Sequence, residues 1–373
     1  MKKRFFGLGV ILWGVLASVF IIKKGLQQKA QIGTETLHEA LFYEKLEGGR
    51  VQCQLCPNRC ILAKGQRGIC GARENQNGKL VSLVYGKVSA VHVDPIEKKP
   101  FYHFLPGAKA YSLATVGCNL DCQYCQNWDI AHRQPEDVQT TEMTPEQVVE
   151  EALKSESQVI AFTYNEPIVW YEYMLDIAKL AKEKGLKTVI VTSGYINQEP
   201  LKQLLPYLDA VKIDFKSINQ QTYQTLIRGN LQPVLESIKA VHESGKWLEL
   251  VHLVVPGWTD NPQDIKKLCQ WTKDNVGPDV PLHLSRFYPN YKLLNLPPTP
   301  EKTLKDARKI CLDLGLKYVY TGNIDDPEGS TTYCPDNQKP LIKRRGYFIE
   351  ENLIDPSGQS PICPSKIPGI WKN

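Results

Sequence analysis

No internal repeat and no low-complexity tract interrupts this 373-residue chain, which removes collagen-like and coiled-coil architectures from consideration. Its 26 glycines and 25 prolines are too few for a disordered polymer, and a composition 42 % hydrophobic and 23 % charged belongs to a chain that buries a core. The body also lacks net charge. Residues 1–30 hold Lys2, Lys3, Arg4, Lys23, Lys24 and Lys29 without one acid, so of the formal +5 the stretch 31–373 keeps only −1. A phosphate-binding stripe cannot be inferred from such a balance, and no nucleic-acid partner is predicted.

Charge is absent again from residues 5–22, 18 residues flanked by basic residues on both sides. At ~1.5 Å per residue they reach about 27 Å, just enough for a hydrocarbon core, and predict one N-terminal transmembrane helix in a membrane anchor segment spanning 1–30. A secretory signal is the competing reading, disfavoured by the length of the run and the lack of a small-x-small cleavage site. Lys3-Arg4-Phe5-Phe6 is a weak version of a twin-arginine export signal. Basic residues on both flanks leave the orientation open.

Short β-branched runs alternate with amphipathic stretches from residue 111 to 320, the pattern of repeated β-α units. Strands are expected at 111–116, 159–163, 187–192, 210–215, 248–255, 282–287 and 317–321, and helices at 144–155, 168–184, 233–244, 262–275 and 301–314. The fold class is α/β, a partial or complete (β/α) barrel. A cysteine-rich module (45–105) precedes the barrel (106–325), and a proline-rich tail (326–373) follows it. Gly117-Cys118, Tyr164-Asn165-Glu166, Ser193-Gly194, Asp214, Pro256-Gly257 and Ser285-Arg286 end the strands, and in barrels such ends form the reaction face.

Eleven cysteines, an odd number in grouped spacings, argue against a simple disulfide framework. Cys269 and Cys311 fall on apolar helical faces and read as small buried hydrophobes. Cys118, Cys122 and Cys125 bring three thiolates to one loop with no fourth cysteine near. Three thiolates leave one iron of a cubane open, whereas zinc with a distant fourth ligand, or inert thiols, are the rival readings. Cys53, Cys56, Cys60 and Cys70 form a closed set suited to structural zinc first, an auxiliary iron–sulfur cluster next and disulfides last.

Gly117-Cys118-Asn119-Leu120-Asp121-Cys122-Gln123-Tyr124-Cys125 resembles the signature of the radical S-adenosylmethionine (SAM) superfamily. The stretches 162–167, 211–216, 254–260 and 283–287, with the cysteines of 53–73, resemble the radical enzyme of the AmmeMemoRadiSam system, a group related to pyruvate formate-lyase activases. The resemblance covers about residues 50–370. It implies a [4Fe–4S] cluster on Cys118, Cys122 and Cys125 whose open iron chelates SAM, reductive cleavage, and a 5′-deoxyadenosyl radical that abstracts hydrogen from an unidentified substrate. It also implies cofactor contacts for Tyr124, Asn165, Glu166, Ser193, Gly194, Asp214 and Lys216, with Glu166 meeting the methionine ammonium. Asn165 before Pro167 reads equally well as a helix cap, and Asp214 with Lys216 as an ion pair.

Two departures from the family stand out. Tyr288 replaces a usual histidine, and the tail keeps only Cys334 and Cys363 of two Cys-x-x-Cys pairs, leaving a disulfide or a weak site. Implied partners are a low-potential electron donor and Memo-like and AMMECR-like proteins. A glycyl-radical activase and a non-catalytic, membrane-tethered metal or iron–sulfur carrier are the alternatives. Because an open iron is oxygen-sensitive, the body is expected to face the cytoplasm.

Overall fold

The computed structural model describes residues 37–372. The expected anchor lies outside these residues, and among those described no helix is long and apolar enough to cross a membrane.

Eight strands form the central sheet: β1 (Ala90–Pro95), β2 (Lys109–Ala114), β3 (Val159–Phe162), β4 (Lys187–Thr192), β5 (Ala210–Asp214), β6 (Trp247–Val254), β7 (Leu282–Arg286) and β8 (Val319–Gly322). They lie in sequence order, β2 to β8 all parallel, with β1 antiparallel on the edge beside β2. The two edges are not paired with each other, so the barrel is partial. Buried on both faces, the strands read as near-continuous apolar runs, such as Val159-Ile160-Ala161-Phe162 in β3, all wholly buried. All seven parallel strands were legible. The edge strand β1 was not: its register with β2 draws residues 90–95 of the expected cysteine module into the barrel sheet.

Crossover helices cover the outer face: α1 (Pro145–Lys154), α2 (Tyr171–Glu183), α3 (Gln198–Leu204), α4 (Leu231–Glu243), α5 (Pro262–Val276) and α6 (Glu301–Asp313). The start of α1 shows the local logic. The Thr144 hydroxyl accepts from Gln147 N at 3.3 Å while the Gln147 side chain accepts from Thr144 N at 2.8 Å, and Pro145 fills the first turn. The helix expected over 168–184 is two pieces, a 3-10 turn Pro167–Trp170 followed by α2. α5 and α6 are joined by a disulfide between Cys269 and Cys311, which corrects their reading as separate small hydrophobes, although both are fully buried. Cys334 and Cys363 are likewise bonded, with Asp336 Oδ2 3.9 and 3.8 Å from their sulfurs.

Burial of the strands' starting ends leaves the opposite end for chemistry. Ile96, Phe101, Phe104 and Leu105 pack against Ala110, Val159, Val189 and Ala210 and close the amino-terminal mouth of the partial barrel. Beside them Glu249 on β6 accepts from Tyr102 N (3.0 Å), His103 N (2.8 Å), the Trp247 indole (3.0 Å) and His283 (2.6 Å). Against the cost of burial, the His283 hydrogen bond and the nearby Lys212 hold this carboxyl down to about 2. The tail is sewn to the same region through Leu105 N to Ile370 O (2.7 Å), Ile370 N to His103 O (2.8 Å) and Arg344 to Tyr102 O (2.8 Å).

Candidate active site

A cavity of about 820 Å³ opens at the carboxyl ends of the parallel strands, and Cys118, Cys122, Cys125, Glu166, Asp214 and Lys216 all line it. The cysteine loop follows β2 through Gly117, whose φ of +107° suits glycine and where a Cβ would stand 2.5 Å from the Cys70 carbonyl oxygen. Backbone bonds then pin the loop from outside: Asp121 N to Ile227 O (3.2 Å), Gln123 N to Leu226 O (3.0 Å) and Gly117 N to Ile130 O (2.9 Å). Two of those acceptors belong to a single π-helical turn, Tyr223–Ile227. Such turns recur at functional sites because they widen the backbone and free carbonyls. No periodicity or spacing in the chain announces this one.

All three thiols are free. Burial, followed by the Glu166 carboxylate, pushes Cys118 far above the usual thiol range, and burial outweighs Lys216 at Cys122. Burial and then Cys122 push Cys125 up to about 12. Thiols so disfavoured as bare anions need a cation to become thiolates. The donor set fits a cubane bound at three corners. No other cysteine lines the cavity, and no three of its thiol and carboxylate ligand atoms lie within 4.8 Å of one another, the spacing that a single tetrahedral ion would require. The Tyr124 hydroxyl is buried in the same cavity without a hydrogen-bond partner.

The other expected residues divide into those that face the cavity and those that support it. Glu166 (4 % exposed) accepts from Thr192 Oγ1 (2.6 Å), Ser193 N (2.8 Å), Ser193 Oγ (2.6 Å) and Ile168 N (3.3 Å). The last bond makes Glu166, not Asn165, the cap of the following turn. Four donors fill the sites a carboxylate offers, so its charge is already engaged by the chain itself. Burial raises its pKa despite these donors. Asn165 donates to Gly117 O (3.0 Å) and accepts from the Trp170 indole (3.2 Å), tying the end of β3 to the cysteine loop. Ser193 lines the cavity, whereas Gly194, with φ +68°, turns the chain behind it against Ile213. Asp214 and Lys216 form an ion pair at 2.9 Å. Although burial opposes it, Asp214 and then Cys122 hold the Lys216 ammonium well above its ordinary range.

Five of the six strand ends expected to converge do so, and Pro256-Gly257 does not line the cavity. Its backbone turns away, Gly257 N bonding Asp260 at 2.9 Å. Tyr288 is on the wall, its hydroxyl accepting from Arg286 (3.2 Å) and donating to Asn323 O (3.1 Å). Sequence reasoning missed the cluster of Asp94, Lys99 and Tyr164. Lys99 Nζ reaches Asp94 at 2.8 Å and the Tyr164 hydroxyl at 3.0 Å, and Tyr164 holds φ at +70°, costly for a bulky residue. It also missed Glu97, whose pKa burial raises to about 7.

The Radical SAM superfamily model matches residues 112–271. The "Uncharacterized protein MJ0808" of Methanocaldococcus jannaschii is 44 % identical over 89 % of this chain and 99 % of its own. The pyruvate formate-lyase-activating enzyme of Clostridium pasteurianum is 28 % identical over 42 % of this chain and 67 % of its own. This chain belongs to the radical SAM superfamily. Among solved structures, a domain of pyruvate-formate lyase-activating enzyme from Bacteroides vulgatus is similar at 19 % identity and TM-score 0.39, over 44 % of this chain and 98 % of that one. Membership of the radical SAM superfamily makes the protein an enzyme and implies a [4Fe–4S] cluster and SAM. The carrier reading gives way with it.

Proposed function

We propose that this radical SAM enzyme holds a [4Fe–4S] cluster on Cys118, Cys122 and Cys125, cleaves SAM reductively and abstracts hydrogen from a substrate admitted to the adjoining cavity. The observation that carries the reading is one loop placing three free thiols, and no fourth, on a cavity shared with Glu166, Asp214 and Lys216. When bound, the reduced cluster supplies the electron that breaks the sulfonium bond and yields a 5′-deoxyadenosyl radical. The chain's own residues do the rest. Thr192 and Ser193 orient Glu166 and keep a fixed negative charge at the end of β3. Asp214 holds the Lys216 ammonium beside Cys122.

The family resemblance supports a place in the AmmeMemoRadiSam system, with Memo-like and AMMECR-like partners and a low-potential electron donor. The relatives that are pyruvate formate-lyase activases support a second reading, activation of a glycyl-radical protein. A segment 5–22 anchoring the body on the cytoplasmic side completes the proposal, and burial shields both disulfides from cellular thiols. Anaerobic reconstitution with iron and sulfide, then dithionite and SAM, tests the core claim. The wild type forms 5′-deoxyadenosine and Cys122→Ala forms none. Absence of the product from a wild type carrying its full iron complement would refute the reading. A glycyl signal by electron paramagnetic resonance, on mixing with a candidate partner, would select the activase. Digestion of the body from the outside of sealed cells would overturn the cytoplasmic placement.

A further inference from the structure

The sequence leaves zinc ahead of iron at the amino-terminal cysteines, and the geometry reverses that order. Cys53 ends the strand Val51–Cys53, Cys56 and Cys60 flank the turn after it, and Cys70 returns from the next loop. All four line one small cavity, walled by Leu55, Leu62 and Val169. All four are free thiols.

Four sulfurs around one zinc, each ~2.3 Å from the metal, stand about 3.8 Å apart and leave no space between them. Here the four cysteines line a void rather than closing on one point. Among the described residues no three of these sulfurs come within 4.8 Å of one another, whereas Cys334, Asp336 and Cys363 do. The spread is shared with Cys118, Cys122 and Cys125, which are also absent from any such tight set. A cubane carries each thiolate on a different iron and needs that wider stance. The side chains around the void support thiolates. Arg73, 1 % exposed and paired with the buried Glu172, donates to Cys53 Sγ at 3.8 Å. Asn119, also 1 % exposed, faces the same void. Gly68 lies between two of the sulfurs: a Cβ there would stand 3.7 Å from Cys70 Sγ and 3.8 Å from Cys60 Sγ.

We propose that Cys53, Cys56, Cys60 and Cys70 bind a second [4Fe–4S] cluster, fully capped by thiolate, against the loop that carries the first. Asn119 follows Cys118 directly, its backbone carbonyl accepts from the Asn58 side chain at 2.8 Å, and the Cys70 carbonyl abuts Gly117. With no open iron, such a cluster holds and passes electrons and does not bind SAM.

This assignment rests on the proposed function only for the first cluster, and the test separates the two. The full chain and its Cys118→Ala/Cys122→Ala/Cys125→Ala variant are reconstituted anaerobically with iron and sulfide in the presence of zinc. Iron, sulfide and zinc are counted, and folding is checked by near-ultraviolet circular dichroism. Two clusters predict about eight irons per wild-type chain and about four in the variant, with a reduced [4Fe–4S] paramagnetic signal in the variant and no stoichiometric zinc. About four irons and one zinc in the wild type, with none of the iron kept by a folded variant, would overturn the second cluster. About four irons in the wild type, all retained by the variant, would instead support the second cluster and remove the first. Should the variant not fold, the wild-type ratio of iron to zinc decides the matter alone.

Discussion

Glu166 shows how far a residue's chemistry can be read before its neighbours are known. Its type and place at the end of β3 marked it as a carboxylate for a cation. Its four donors from Thr192, Ser193 and Ile168 come from residues whose hydrogen bonds no spacing announces. Replacing it tests both sides of the role. Glu166→Gln turns an acceptor into a donor against Ser193 N–H and Oγ, which costs about 1–3 kcal/mol of stability. It also removes the fixed charge, so SAM affinity measured by equilibrium dialysis should fall at least about tenfold with the iron content unchanged. Equal affinity in the variant would show that Glu166 only shapes the loop. Glu249 carries a pH dependence of known sign. Folding depresses its pKa from about 4.3 to about 2, so its carboxylate contributes stability above the higher value and loses it as pH falls toward the lower. Urea midpoints of the metal-free protein should therefore drop between those values, and Glu249→Gln should start lower near neutrality and drop less.

Among elements, legibility followed burial. The seven parallel strands are hidden on both faces, so their sequences are unbroken apolar runs, and the expected and observed bounds agree within two residues. β1 sits at the edge with exposed His92 and Val93, and its weak pattern reads as part of the preceding module. α3 is seven residues with a proline inside, too short to show a helical period. The three-thiol loop was legible because its chemistry requires fixed spacing. The π-helical turn that holds it was not, since the loop's bonds to it end on its backbone carbonyls, which any sequence supplies. Helix periodicity placed Cys269 and Cys311 on buried faces but could not say that the faces of α5 and α6 meet. That disulfide closes 42 residues, a stabilisation on the order of 4 kcal/mol by loop entropy. A reductant should lower the melting temperature of the wild type more than that of Cys269→Val/Cys311→Val, which keeps only the Cys334–Cys363 bond, as scanning calorimetry would show. An equal shift in both proteins would place the effect elsewhere.

Across the whole molecule the two ends of the partial barrel have opposite duties, and the tail serves both. At the closed end Tyr102, Tyr318 and Tyr320 form one core with Leu341, Ile342, Ile354 and Ile367, so the tail covers apolar surface that the barrel cannot bury alone. Arg344, Gly346 and Tyr347 also line the cavity that holds the cysteine loop. Removing residues 326–373 therefore strips core and wall together, and the truncated chain should aggregate although it keeps Cys118, Cys122 and Cys125. Tyr347→Ala separates the duties. Its side chain is 42 % exposed, so the fold should tolerate the change. Cleavage of SAM without substrate should stay within about twofold of wild type, because the loop and Glu166 are untouched. If the variant instead loses the cluster or this cleavage, then the tail belongs to the radical-generating half of the site and not to the wall that receives the substrate.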